Sequence, residues 1–111
     1  MTETFPTLVT DLPRIDVPLP GVTGWLLQGE SRQAVFFRLE AGIVIPEHSH
    51  GAQWGLVVEG EIELTIGGEA RLYRKGDCYE IPAETPHSAR CLGGALALDL
   101  FADADRYRAK A

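Results

Sequence analysis

The chain contains three histidines, His48, His50 and His87, and all of them fall in two glycine- and proline-marked segments. The first runs from Gly42 to Gly60 and reads G-I-V-I-P-E-H-S-H-G-A-Q-W-G-L-V-V-E-G; the second, from Gly76 to His87, reads G-D-C-Y-E-I-P-A-E-T-P-H. On an extended strand, residues i and i+2 point to the same face, so His48 and His50 would project side by side, about 6–7 Å apart at their Cα atoms. That reach suits two ligands on one cation. Three residues on, the chain can bend at Gly51 and offer the carbonyl oxygen of Gln53, either as a further ligand or as a hydrogen-bonding partner that holds a histidine. With His87 brought in from the second segment, all three histidines are expected to meet at one metal. Imidazole-rich sites suit Fe, Ni, Cu, Mn or Zn, and affinity order alone does not choose among them. Nucleophilic chemistry finds no support: there is no G-x-S-x-G elbow and no glycine-rich phosphate loop opening a helix.

The elements that must position these residues read as strands. From Gly24, W-L-L-Q (25–28) leads through a G-E-S-R turn into Q-A-V-F-F-R-L-E (33–40), where Val35, Phe37 and Leu39 share one face and Arg38 and Glu40 the other. After I-V-I-P (43–46) and L-V-V-E (56–59) comes E-I-E-L-T-I (61–66), with Ile62, Leu64 and Ile66 alternating against Glu61, Glu63 and Thr65. Gly67-Gly68 is a two-residue hairpin signal. E-A-R-L-Y-R (69–74), C-Y-E-I-P (78–82), H-S-A-R-C-L (87–92) and A-L-A-L-D-L-F (95–101) complete the set. About eight short strands with turn glycines predict an all-β sandwich or small barrel.

With 111 residues the chain has the length of one domain and can bury a core without staples. Expected bounds are an extended arm over 1–22, a barrel over 23–101 and a short tail over 102–111. Four prolines in the arm (Pro6, Pro13, Pro18 and Pro20) limit it to short edge strands around Leu8-Val9 and Ile15-Val17. It is expected to drape over the sheet or to reach a partner subunit. The tail has helix-forming residues enough for one or two turns. A net charge of −6 provides no basic surface for phosphates or anionic lipid, so neither nucleic acid nor membrane is expected as a partner. Cys78 and Cys91 match no metal-binding spacing and read as free thiols of a reducing compartment. The amino terminus shows no leader pattern and no apolar run reaches the ~18 residues that span a bilayer, so the expected location is the cytoplasm.

The two histidine segments resemble the two motifs of the cupin superfamily. Gly42 is followed by five residues, His48-Ser49-His50, then Gln53, six residues and Gly60; Gly76 is followed by five residues, Pro82, Glu84, two residues, His87, three residues and Cys91. Fifteen residues separate Gly60 from Gly76, as in small single-domain members. The resemblance implies a cupin jelly-roll β-barrel, a homodimer that packs a sheet or exchanges an edge strand, and a divalent metal held near one mouth by His48, His50, Gln53 and His87. Three positions depart from the motifs. Gln53 stands where the family has glutamate, with a shorter gap after His50; Glu84 stands for glycine; Cys91 stands for asparagine. With glutamine, three neutral imidazoles and an amide leave the full +2 charge of the cation uncompensated. Such a site binds hard Mg²⁺ or Ca²⁺ poorly and favours an anionic molecule, a carboxylate or enolate, in the open position.

Several other residues are weighed as neighbours of the site. Arg38, Tyr79 and Glu84 are candidates for the mouth. Cys91 shares the face of His87 by parity, as packing or as a thiol in the barrel. Asp99 shares parity with Ala95 and Ala97, opposite Leu96, Leu98 and Leu100, and must be paired if that face looks inward. Trp25 and Trp54 read as core or interface residues. Function is expected to be that of a metal-dependent enzyme, an oxygenase or an isomerase or lyase, acting on a small anionic or oxygen-bearing molecule. The rival readings are a non-catalytic barrel that binds or senses a small ligand, and a structural barrel whose histidines hold nothing.

Overall fold

A computed structural model describes residues 4–110; residues 1–3 and 111, the outer ends of the expected arm and tail, lie outside the described residues. One four-residue helix, α1 (Thr7–Thr10), precedes eight strands: β1 (Val22–Gln28), β2 (Gln33–Leu39), β3 (Ile43–His48), β4 (Gln53–Ile66), β5 (Glu69–Arg74), β6 (Cys78–Ile81), β7 (His87–Cys91) and β8 (Ala95–Phe101). All pairings between strands are antiparallel, in the order β1-β2-β8-β4-β7-β3, with β5 and β6 also on β4. The all-β jelly roll expected from the sequence is the fold observed.

Strand β4 makes the roll. Its first half, Gln53 to Gly60, pairs with β8 and β6, and its second half, Glu61 to Ile66, pairs with β5 and β7. The crossing point has two local causes. The register against β8 shifts between Val57 and Glu59, and Gly60 adopts φ 76°, a left-handed conformation that glycine reaches without steric cost. A side chain at Gly60 would also meet the Gly94 carbonyl. One strand therefore belongs to both sheets, and their inner faces close on a single core that includes Val35, Phe37, Leu39, Ile62, Leu64 and Phe101. Gly67 and Gly68 both have positive φ, as a primed hairpin turn requires.

Strand β8 buries the face that carries its one charge. Ala95, Ala97, Asp99 and Phe101 look inward, while Leu100 is exposed. Small alanines there leave room inside the barrel, and the leucine stripe faces out, where Leu96 packs under Phe5 and Trp25.

The two ends of the chain depart from expectation. Leu8 and Val9 belong to α1 and not to an edge strand; Pro6 has no N–H to give a ladder, whereas its carbonyl accepts from the N–H groups of Val9 and Thr10. The tail forms turns over 104–105 and no helix among the described residues. It runs back along the arm instead: the Asp16 N–H donates to the Arg108 carbonyl at 2.8 Å, the Lys110 N–H donates to the Arg14 carbonyl, and Ile15 bridges Ala109. Backbone groups that a short helix would have satisfied internally are satisfied between the two ends. No helix of the described residues is long and apolar enough to cross a membrane.

Gly55 offers a test of this packing. A Cβ built there would collide with the hydroxyl end of the Tyr79 ring. Gly55→Ala is expected to lower stability by about 1–3 kcal/mol through overpacking, read as a fall in Tm and in the urea midpoint; an unchanged midpoint would show that the ring has room to move.

Candidate metal centre

Two strands and a loop bring the histidines together. β3 pairs with β7 so that His48 lies opposite His87, just past a register irregularity after Ile45. The ladder stops there, and His50 lies beyond it in the 49–52 connection, not on an extended strand as the spacing suggested. The loop still turns His50 to the same place. Its carbonyl accepts from the Glu84 N–H at 2.7 Å, and the Gly51 N–H donates to Asp103 Oδ2 at 2.9 Å. Imidazole centroids are 4.2 Å apart for His48–His87, 4.8 Å for His50–His87 and 5.3 Å for His48–His50. One ring nitrogen from each lies within 4.8 Å of the others.

The backbone sets the direction of each ring. Nδ1 of His48 lies 2.8 Å from the Pro46 carbonyl, Nδ1 of His50 2.8 Å from the Gly51 carbonyl, and Nδ1 of His87 2.8 Å from the Thr85 carbonyl. A carbonyl only accepts, so each Nδ1 must carry the proton, and the lone pair is left on Nε2. Nε2 of His50 and of His87 are buried and have no hydrogen-bond partner among the described residues.

Gln53 completes the pattern at the start of β4. Its Nε2 donates to Asp99 Oδ1 at 2.8 Å, and the Tyr79 hydroxyl donates to the same oxygen at 2.7 Å. With the amide nitrogen turned to Asp99, Gln53 Oε1 is left buried without a partner. The expected alternative, that Gln53 holds a histidine by a hydrogen bond, is not what the structure shows: its amide nitrogen goes to Asp99 instead. Three buried acceptors without donors are costly, and a divalent cation is a species that satisfies imidazole nitrogens and an amide oxygen together. The donor set fits a borderline transition metal and contains no carboxylate that Ca²⁺ or Mg²⁺ would require.

These groups open on a cavity of about 550 Å³. Of the residues that line it, the sequence reading missed those of the two chain ends: Val17 and Leu19 from the arm, and Asp105, Arg106, Tyr107 and Arg108 from the tail. Their only sequence signal was a D-R-Y-R run of two cations flanking an aromatic residue. The Arg106 guanidinium lies over the Tyr107 ring, 4.4 Å from its centroid, and its Nε is buried without a partner. Arg38, Glu84 and Tyr79 are not among the lining residues. Arg38 pairs with Glu40; Tyr79 reaches the site through Asp99. Glu84 has φ 62°, a left-handed conformation that accounts for a glycine in the motif at this position. Cys91 is buried away from the cavity with its thiol on the Glu61 carbonyl, 3.6 Å away, and burial pushes its pKa up.

Electrostatics prepare the histidines for a cation. Burial lowers the His50 pKa to about 4, against a smaller opposite effect from its Gly51 hydrogen bond, and the Arg106 charge adds to the lowering. His87 is lowered as well, chiefly by burial, with His48 and Arg106 as further causes. Both rings are neutral at pH 7, as ligation requires. Asp99 moves the other way: burial raises it to about 6 although the Tyr79 and Gln53 hydrogen bonds favour its charged form. Tyr79 is raised well above 10 by burial and by Asp99, so it remains a donor.

These shifts fix signs for the metal-free protein. Below pH 6.5 the unfolded chain binds more protons than the folded one at His50, down to about pH 4, and at His87, so their contribution to stability is complete above pH 6.5 and is lost as pH falls. Asp99 contributes with the opposite sign, losing stability as pH rises from 3.8 to about 6. The urea midpoint of Asp99→Asn is therefore expected to fall more steeply than that of the wild type between pH 6.5 and 4, and His50 is expected to titrate near pH 4 by NMR. Parallel midpoint curves for the two proteins would contradict the assignment.

Comparison with known proteins agrees with this geometry. The Cupin domain family matches residues 35–101, more than half the chain. The structure of KdgF from Halomonas sp. superposes with a TM-score of 0.72 at 31% identity, over 78% of this chain and 83% of that one. An RmlC-like cupin from Shewanella frigidimarina NCIMB 400 superposes with a TM-score of 0.77 over 96% of this chain and 93% of its own, at 24% identity, a likeness of fold. Quercetin 2,3-dioxygenase of Bacillus subtilis (strain 168) is 54% identical over 35 residues, which are 32% of this chain but only 10% of that protein. By fold, motif pair and family match, the chain belongs to the cupin domain family.

Proposed function

We propose that this cupin is a metal-dependent enzyme acting on a small carboxylate-bearing molecule, with His48, His50, His87 and Gln53 Oε1 as the metal ligands. The observation that carries the reading is the convergence of three unpaired buried acceptors, His50 Nε2, His87 Nε2 and Gln53 Oε1, on a cavity that also holds Arg106. A bound divalent metal supplies Lewis acidity toward a substrate oxygen. Arg106 supplies a cation with its Nε unpaired, suited to a carboxylate group. Asp99 is the cavity carboxylate whose pKa, about 6, lies close enough to neutrality to take and return a proton. That feature suits an isomerase or lyase, whose chemistry turns on proton transfer. The cavity, about 550 Å³, is of a size that takes a small metabolite.

The same reading includes a homodimer. Leu27, Ala34, Leu100 and Trp54 form one cross-strand row on the outer face of the sheet, and Leu27, Leu100 and Trp54 are exposed. A second copy packed on this row would cover it.

Elemental analysis of untagged protein tests the site, and metal-supported turnover of small hydroxy- and keto-acids tests the chemistry. The expected result is near one equivalent of Fe, Ni, Cu, Mn or Zn per chain, lost in His87→Ala, with turnover lost in Asp99→Asn at unchanged metal content. Metal binding without conversion of any acid would leave the non-catalytic binding barrel; protein that refuses all five metals would overturn the reading.

A further inference from the structure

Arg106 is placed by a segment anchored by the Tyr107 ring, which packs edge-to-face on Phe37 and Phe101, but with few main-chain bonds of its own. Residues 104–107 form a turn and a bend between two pinned stretches of the tail. On one side the Ala102 N–H donates to the Ala52 carbonyl, and on the other the Arg108 carbonyl accepts from Asp16. Between them, main-chain hydrogen bonds from 104–107 to the barrel all run, among the described residues, to two glutamines. Gln33 Nε2 donates to the Tyr107 carbonyl at 2.8 Å while the Tyr107 N–H donates to Gln33 Oε1 at 2.9 Å. The carboxamide thus pairs with a peptide unit as a strand neighbour would. Gln28, opposite Gln33 in the β1–β2 ladder, accepts from Gln33 Nε2 at 2.8 Å and donates from its own Nε2 to the Ala104 carbonyl at 2.9 Å.

Gln33 is 1% exposed, the most deeply buried polar side chain described. A buried amide is costly unless all its groups are satisfied, and the barrel has no need of one at this position, since inward-facing Val35, Phe37 and Leu39 fill the rest of β2 with apolar side chains. What the amide does is hold the tail.

We propose that Gln33 and Gln28 are positioning residues, a clasp that holds the 104–107 turn so that Arg106 stands in the cavity beside the histidines. The clasp sets how tightly a carboxylate binds while touching neither the ligand nor the metal. This rests on the reading of Arg106 as the carboxylate-binding group.

A double-mutant cycle separates the two ideas. Malonate is titrated by calorimetry into nickel-loaded and metal-free wild type, Arg106→Ala, Gln33→Leu, Gln28→Ala and the two combinations with Arg106→Ala. Affinity for nickel alone is measured in parallel. Arg106→Ala is expected to weaken malonate about tenfold or more, as loss of a charge-assisted pair does. Gln33→Leu is expected to weaken it severalfold in the wild-type background and not at all in the Arg106→Ala background, with nickel affinity unchanged. Gln28 is exposed at the strand end, so Gln28→Ala preserves the fold and is expected to repeat the pattern more weakly, which keeps the test decisive if Gln33→Leu does not fold. A loss that is the same in both backgrounds, or no loss in either clasp variant, would overturn the clasp. A malonate affinity untouched by Arg106→Ala would instead overturn the reading of Arg106, and the clasp with it.

Discussion

Three histidines and one glutamine are each held by the atom that faces away from the cavity. The Pro46, Gly51 and Thr85 carbonyls take the three Nδ1 protons, and Asp99 takes the Gln53 amide hydrogen. Lone pairs are thereby left facing one small volume with no donor among the described residues for His50, His87 or Gln53. Such an arrangement costs stability in the metal-free fold, because buried acceptors lose their water without replacement. The site is thus a place where the protein is less stable than it would be with apolar side chains, and a cation that binds only the folded state returns that stability.

The fold can hold this arrangement because the site's members come from elements fixed by one another. β4 pairs at its start with β8 and β6, carrying Gln53 to Asp99 and Tyr79, and at its end with β7, carrying Ile66 opposite His87. Gly55 lets the Tyr79 ring lie against β4 and reach Asp99. The outer wall is built differently. It comes from the two chain ends, which satisfy their backbone groups on each other, on the buried Gln33 and, at Pro13 and Ile15, on the backbone of β1.

Most of the cradle was legible in the sequence because it rests on short-range pattern. Alternation at 61–66 and the glycine pair at 67–68 are local signals that appear in place; the His48–His50 pair brought both rings together, although His50 lies in the 49–52 connection and not on a strand. Asp99 was half legible: its parity with the two alanines was plain, but which face of 95–101 looks inward depends on what packs outside, and the leucines turned out to meet Phe5 and Trp25. The chain ends were not legible. Leu8-Val9 formed a helical turn closed locally on the Pro6 carbonyl instead of a strand, and the tail formed a paired turn instead of a helix because the arm residues that pair with it lie more than ninety positions away. Arg106 was missed for the same reason. Nothing near it in sequence says that Gln33, 74 positions from Tyr107, holds its segment.

The central claim, that the four side chains form one metal site, is tested most directly by a crystal structure of metal-loaded protein with anomalous scattering recorded at the absorption edge of the bound metal. One anomalous peak is predicted, in contact with a nitrogen of each of His48, His50 and His87 and with Gln53 Oε1, while the Gln53 amide nitrogen stays on Asp99. A peak elsewhere on the chain, or a cavity whose histidines bind ordered water and no metal, would contradict it.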